Sequence, residues 1–394
     1  MYALTQLTMK KYLFLILMSF HFSLSSQNAI DVKKEFAAAA VQYQAMLATH
    51  PDISKTPQSA NADGSPRDMP TSWWCSGFFG GSLWYLYEFT KDPTWKEAAN
   101  KWTMAIEKEQ FNTTTHDLGF MLYCPFGNGY RLTGNEQYKS ILLQGAKSLA
   151  TRFDPKRKVI KSWEKFREYD YPVIVDNMMN LEFLFWAAKK SGDKTLYNIC
   201  IEHANSTLKN HFRPDHSAYH VLCYGKNGEV LAKTTAQGYA DESAWARGQA
   251  WALYGYTVMY RETKMKKYLL QAQGIADFFI HHPNLPTDKI PYWDFNAPNI
   301  PNEERDASAG AIASSALFEL SQYPGKNNKE YRSVATQMLQ SLCSDAYRAK
   351  PGENGNFLIK HCVGAKPLKS EVDVPLVYAD YYFLEALMRY AAMK

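Results

Sequence analysis

The chain has no closely spaced cysteine pair. Its six cysteines, Cys75, Cys124, Cys200, Cys223, Cys343 and Cys362, are scattered, so neither a zinc site nor a disulfide framework is indicated. They read as buried free thiols. There is no run of Lys or Arg, and the formal charge is only +5. That argues against nucleic acid as a partner and leaves room for an acidic small ligand. No phosphate-binding glycine loop and no metal-ligand spacing occurs, so no cofactor is expected. Beyond Phe22 no apolar stretch reaches membrane-spanning length without a charge, so no membrane span is expected. No Pro-, Gly- or Ser-rich linker divides the chain, which implies one domain.

What the sequence has in quantity is aromatic rings: 10 Trp, 26 Tyr and 21 Phe in 394 residues. Many will be core, but so many rings also suit a surface that stacks on sugars. Met9-Lys10-Lys11, the apolar run from Tyr12 to Phe22 and the small residues Ser23, Ser25 and Ser26 have the build of a secretory signal. Residues 1–26 are therefore expected to be removed and 27–394 to form an exported protein, periplasmic or secreted.

Helical periodicity recurs at a long spacing. Six segments are apolar and aromatic nearly all round, the mark of buried helices. They open near Ser76, Asp117, Asp176, Asp241, Asp306 and Asp373. Amphipathic helices are expected at 93–108, 136–152, 194–211, 264–281 and 328–345, with a sixth at 29–49. Alternation of that length means a solenoid or a closed toroid. The first helix is amphipathic and the last is buried, so each can partner the other. The expected fold is all-α: a single-domain (α/α)6 barrel of six inner and six outer helices. Its loops would then bring Asp117, Asp176, Asp241, Glu242, Asp306 and Asp373 to one end. Each taken singly is an ordinary helix N-cap or first-turn acid.

Two carboxylates facing across a cavity are the usual apparatus for acid/base work on sugars. Asp176 follows Val173-Ile174-Val175 and precedes Asn177-Met178-Met179. Such an apolar setting should raise its pKa toward a proton-donating value.

Whole strings are more specific. WWCSGFFGGSLW at 73–84, HDLGF at 116–120, DNMMNLE at 176–182, Arg213-Pro214-Asp215 with His220, QGYADESAWARGQAW at 237–251 and SEVDVP at 370–375 with Tyr378-Ala379-Asp380-Tyr381-Tyr382 occur in that order. They resemble the unsaturated glucuronyl hydrolases of glycoside hydrolase family 88 over nearly all of the chain after the signal. The resemblance implies an (α/α)6 barrel and release of the 4,5-unsaturated uronic acid from the non-reducing end of lyase-generated oligosaccharides. The route it implies is hydration of the C4=C5 vinyl ether, with Asp176 as general acid and base and Asp117 as the second aspartate. It also implies substrate-binding roles for Trp74, His220, Gln237, Arg247, Trp251 and Trp163. Arg247 would be a bidentate partner for the uronate carboxylate. Expected partners are unsaturated uronate-terminated oligosaccharides, sulfated or not, of glycosaminoglycan or ulvan type. Lys366, Lys369 and Ser370, in the loop before the last inner helix, are candidates to meet a sulfate or carboxylate on the second sugar. The alternatives are an inverting glycosidase acting on saturated sugars through Asp117 and Asp176, a polysaccharide lyase, and an exported glycan-binding protein.

Overall fold

The structure, a computed structural model, describes residues 29–61 and 63–393. The expected signal segment, 1–26, lies outside the described residues. The helices among them are α1 (Val32–Thr49), α2 (Gly77–Thr90), α3 (Pro93–Met104), α4 (Asn128–Thr133), α5 (Glu136–Ala150), α6 (Leu181–Ser191), α7 (Lys194–Asn210), α8 (Ala246–Thr263), α9 (Lys266–His281), α10 (Ala307–Leu320), α11 (Asn328–Leu342) and α12 (Val377–Ala392). A wide helical stretch, Gly119–Gly127, runs into α4. Pro125 inside it has no N–H to give to a regular ladder. A tight helical stretch, Val175–Asn180, runs into α6.

The helices apolar on every face form the inner ring. α2 packs on 119–127, that stretch on α6, α6 on α8, α8 on α10, α10 on α12, and α12 returns to α2. The ring is closed, as a toroid requires and a solenoid does not. In α10 every residue from Ala307 to Leu320 is buried, and its run of Ala, Ser and Gly lets neighbours approach. Outer helices bury one stripe each. In α11 that stripe is Tyr331, Val334, Ala335, Met338, Leu339 and Leu342, a spacing set by 3.6 residues per turn. The six outer helices fall within a few residues of their expected bounds.

The two ends of the barrel differ. At one end, inner helices turn into outer ones through Lys91-Asp92, Gly134-Asn135, Gly192-Asp193 and Lys264-Met265. The first residue of each pair is left-handed, and Asp92, Asn135 and Asp193 cap the next helix by accepting a backbone N–H. At the other end the loops are long and carry small antiparallel sheets. β1 (Lys55–Ala60) pairs with β2 (Pro66–Pro70), and β3 (Phe153–Asp154) with β4 (Val159–Ile160). β5 (Pro172–Ile174), β6 (Val221–Tyr224) and β7 (Val230–Thr234) form a three-stranded sheet in that order, and β8 (Cys362–Ala365) pairs with β9 (Ser370–Val374). These strands are short and were not expected from a sequence with weak strand signals. Two helix openings also differ from expectation. Asp373 lies in β9, ahead of α12, and Asp241 precedes α8 by a turn. Among the described residues no helix is long and apolar enough to cross a membrane.

Candidate active site

The three-stranded sheet sets the site's geometry. β5 runs directly into Asp176, His220 stands immediately before β6, and β7 runs on to Gln237. Antiparallel pairing of Ile174 with Val221 and of Val221 with Thr234 places these ends side by side. The Val175 N–H donates to the His220 carbonyl at 3.0 Å.

Asp176 is 8% exposed. Burial raises its pKa to about 7; the charge of Arg247 and the Trp251 indole oppose the rise, and the charge of Asp117 adds to it. His220 is buried and held neutral by desolvation. Its Nδ1 faces the backbone N–H groups of Ala236 and Gln237 at 3.2 and 3.3 Å. Nδ1 is thus the acceptor, and the ring proton belongs on Nε2. Nε2 lies 3.7 Å from Asp176 Oδ2, and neither atom has a hydrogen-bond partner among the described residues. A donor and a carboxyl oxygen therefore point to common ground. The His220 ring packs on Trp245 at 4.4 Å between centroids and meets Trp163 edge-on.

Asp117 sits on the neighbouring turn, where Thr115 Oγ1 donates to its Oδ2 at 2.8 Å. The Gly119 N–H donates to Asn180 Oδ1, also at 2.8 Å. This bond ties the Asp117 turn to the Asp176 turn. The approach is so close that a Cβ at position 119 would lie 2.5 Å from Asn180 Oδ1, so glycine is required there.

Trp74, half-buried, packs on Phe78, Phe120 and Tyr378, and Phe120 continues to Trp251 at 5.1 Å. Trp73 beside it is exposed. Gln237 donates through Nε2 to the Gly364 carbonyl at 3.0 Å. Arg247 differs from expectation. It is 1% exposed and bonded to Asp306 at 2.8 Å and to the carbonyls of Val363 and Gly364. Both of its Nη groups bond within the protein, so it ties α8 to the α10 N-cap Asp306 and to β8. It reaches Asp176 through its charge. Lys366 also differs, being paired with Glu303 and Glu304, whereas Lys369 is exposed. Of the six acids expected to converge, Asp117 acts on Asp176 through its charge. Asp241 accepts from Thr234 and Thr235, Asp306 holds Arg247, Asp373 pairs with His361, and Glu242 receives the Tyr219 hydroxyl.

The sequence model of Glycosyl Hydrolase Family 88 matches residues 46–392. The chain belongs to this family. It is 46% identical over 363 residues to an unsaturated glucuronyl hydrolase of Formosa agariphila, covering 91% of this chain and 90% of that one. It is 32% identical over 344 residues to an unsaturated chondroitin disaccharide hydrolase of Streptococcus agalactiae, covering 85% of each. A crystal structure of an unsaturated glucuronyl hydrolase specific for heparin superposes with a TM-score of 0.89 at 47% identity, covering 92% of this chain and 97% of that one. This chain is thus a glycoside hydrolase with the (α/α)6 barrel of its family 88 relatives.

Two residues at this family 88 site were not singled out in the sequence. His116 flanks Asp117, and Asn180 carries the inter-turn bond. His116 and Asn180 lie inside the HDLGF and DNMMN strings, so adjacency to the two aspartates was the available signal. The stacking of Trp245 on His220 joins residues on different elements and left no local trace.

Proposed function

We propose that this family 88 hydrolase releases 4,5-unsaturated uronic acid from the non-reducing end of lyase-generated oligosaccharides by hydrating the C4=C5 vinyl ether. Protonated Asp176 gives its proton to C4, and positive charge develops at C5 and the ring oxygen. Water adds at C5, and the Asp176 carboxylate takes the proton that water loses. The hemiketal so formed opens, returning the ring oxygen to C1 as a hydroxyl. The hemiacetal at C1 then expels the second sugar. One group must both give and take a proton near neutral pH, which calls for a carboxyl with a raised pKa.

The observation that carries this reading is Asp176 itself, a buried carboxyl with a pKa of about 7 whose Oδ2 has no hydrogen-bond partner among the described residues and faces His220 Nε2. Asp117 in this reading orients the sugar hydroxyls and influences the charge state of Asp176. Trp74 offers its face to the flattened ring, and His220, Gln237, Trp163 and Trp251 complete the binding site. The names of the relatives support unsaturated uronate-terminated substrates of glycosaminoglycan type, and ulvan-type fragments present the same reacting group. Activity on a panel of lyase-generated oligosaccharides, sulfated and unsulfated, tests the reading. Hydration destroys the ultraviolet absorbance of the unsaturated uronate as the second sugar is released. An ordinary glycosidase would release that sugar and leave the absorbance intact, a lyase would create absorbance, and a binding protein would do neither.

Export is part of the same proposal, resting on the signal-like residues 1–26. Amino-terminal sequencing of the protein recovered outside the cytoplasm should begin near residue 27. An intact Met1 terminus on that protein would contradict cleavage.

A further inference from the structure

Asp117 has a neighbour on each side of its carboxylate. Thr115 Oγ1 donates to Oδ2, and His116 Nε2 lies 3.3 Å from Oδ1. His116 is wholly buried, and among the described residues neither ring nitrogen has a well-aligned hydrogen bond. The side chain of Asn177, the residue after Asp176, is a further polar neighbour, and the charge of Arg152 also acts on the ring. Asn177 spends its amide N–H on the Ile160 carbonyl at 2.8 Å, and its buried Oδ1 has no donor among the described residues. His116 therefore has two acceptors beside it, the Asp117 carboxylate and the Asn177 carbonyl.

Burial lowers the His116 pKa, so the ring is neutral and carries one N–H. Of the two acceptors the carboxylate is the stronger, because its bond is charge-assisted. The proton therefore belongs on Nε2, toward Asp117. Alignment is poor in the free protein, which is common for hydrogen bonds that tighten when substrate binds.

We infer that His116 is a positioning residue: its Nε2–H holds the Asp117 carboxylate toward the sugar, and its packing on Asn177 keys that orientation to the Asp176 turn. The inference rests on the proposed role of Asp117 in the reaction. Together with the bond from Gly119 to Asn180, it makes the two aspartate turns one mechanical unit. The alternative is a core histidine that only fills space.

Three variants separate these, each assayed by loss of ultraviolet absorbance and by thermal melting. His116→Phe keeps the ring and removes the donor. His116→Gln keeps an N–H near the position of Nε2. Asp117→Asn is the reference. His116→Phe should lose about 10- to 100-fold in kcat, the usual worth of one hydrogen bond to a charged group, with KM changed little. His116→Gln should recover most of that loss. If Phe keeps kcat within about twofold, less than one such bond is worth, the inference is wrong. It is equally wrong if Phe and Gln lose kcat alike. Should the Phe variant not fold, His116→Asn replaces it, because the shorter amide cannot reach Asp117 Oδ1 from the Nε2 position. A low-kcat Asn variant beside a high-kcat Gln variant supports the inference, and equal values overturn it. An unimpaired Asp117→Asn would instead overturn the reading of Asp117 itself. A crippled Asp117→Asn beside an unaffected His116→Phe would sink the His116 inference alone.

Discussion

His220 Nε2 stands 3.7 Å from Asp176 Oδ2, and both atoms are buried without another partner among the described residues. The gap is too wide for a hydrogen bond. A buried donor or acceptor left unpaired costs roughly 1–3 kcal/mol, so the arrangement is one that a bound molecule improves. Backbone N–H groups on Nδ1 fix the histidine as a neutral donor, which leaves Asp176 as the member of the pair that changes charge near neutral pH.

That assignment makes the pH profile specific. The proton donor is the protonated form of Asp176, whose pKa is about 7. The value of kcat/KM should therefore fall with rising pH, beginning near 7, with the slope of one proton. A profile that stays flat to pH 9 would show that the donor is another group.

The same carboxyl should weaken the fold at high pH. In the unfolded chain it loses its proton near 3.8, and in the folded protein near 7. Between those values the folded state binds more protons, so stability contributed by the proton is present at low pH and is lost as pH rises toward 7. Asp176→Asn abolishes this dependence. It should raise Tm more at pH 8 than at pH 5, and the full window is worth at most about 4 kcal/mol. Identical Tm changes at the two pH values would contradict the raised pKa.

Arg247→Met should cost stability more than recognition. It leaves Asp306 buried without its partner, a loss typically of about 3–5 kcal/mol. The melting temperature should fall, and affinity for an unsaturated uronate and for its methyl ester should change by the same factor. A loss confined to the charged substrate would restore the direct carboxylate contact that the sequence suggested.

At the loop between β8 and β9 the two lysines should behave differently. Lys369→Ala should lower kcat/KM on sulfated unsaturated disaccharides about two- to tenfold, with the effect fading as salt rises, as for an exposed ion pair. Lys366→Ala releases Glu303 and Glu304 and should act on sulfated and unsulfated substrates alike. Equal effects of Lys369→Ala on both substrates would remove the loop from sulfate recognition.

The ring of helix pairs was legible because it depends on local periodicity. An all-round apolar segment such as 307–320 has to be buried, and a striped one such as 328–342 half-buried. The raised pKa of Asp176 was legible for the same reason, since its apolar neighbours are adjacent in the chain. The role of Arg247 was not, because its partners Asp306 and Gly364 lie 59 and 117 residues away. Lys366 repeats the point with Glu303 and Glu304, 63 and 62 residues away. Strands as short as β3 and β4 owe their pairing to the surrounding loops and carry little pattern of their own.

The central claim is that Asp176 both gives and takes the proton. Asp176→Asn keeps the shape of the side chain and removes the exchangeable proton. Turnover of an unsaturated disaccharide, followed as loss of ultraviolet absorbance, should fall by about 10²- to 10⁴-fold, as expected for a general acid/base. Calorimetric binding of the same disaccharide should change little. An Asn variant that kept more than about a tenth of wild-type turnover, well above what loss of such a group leaves, would contradict the claim.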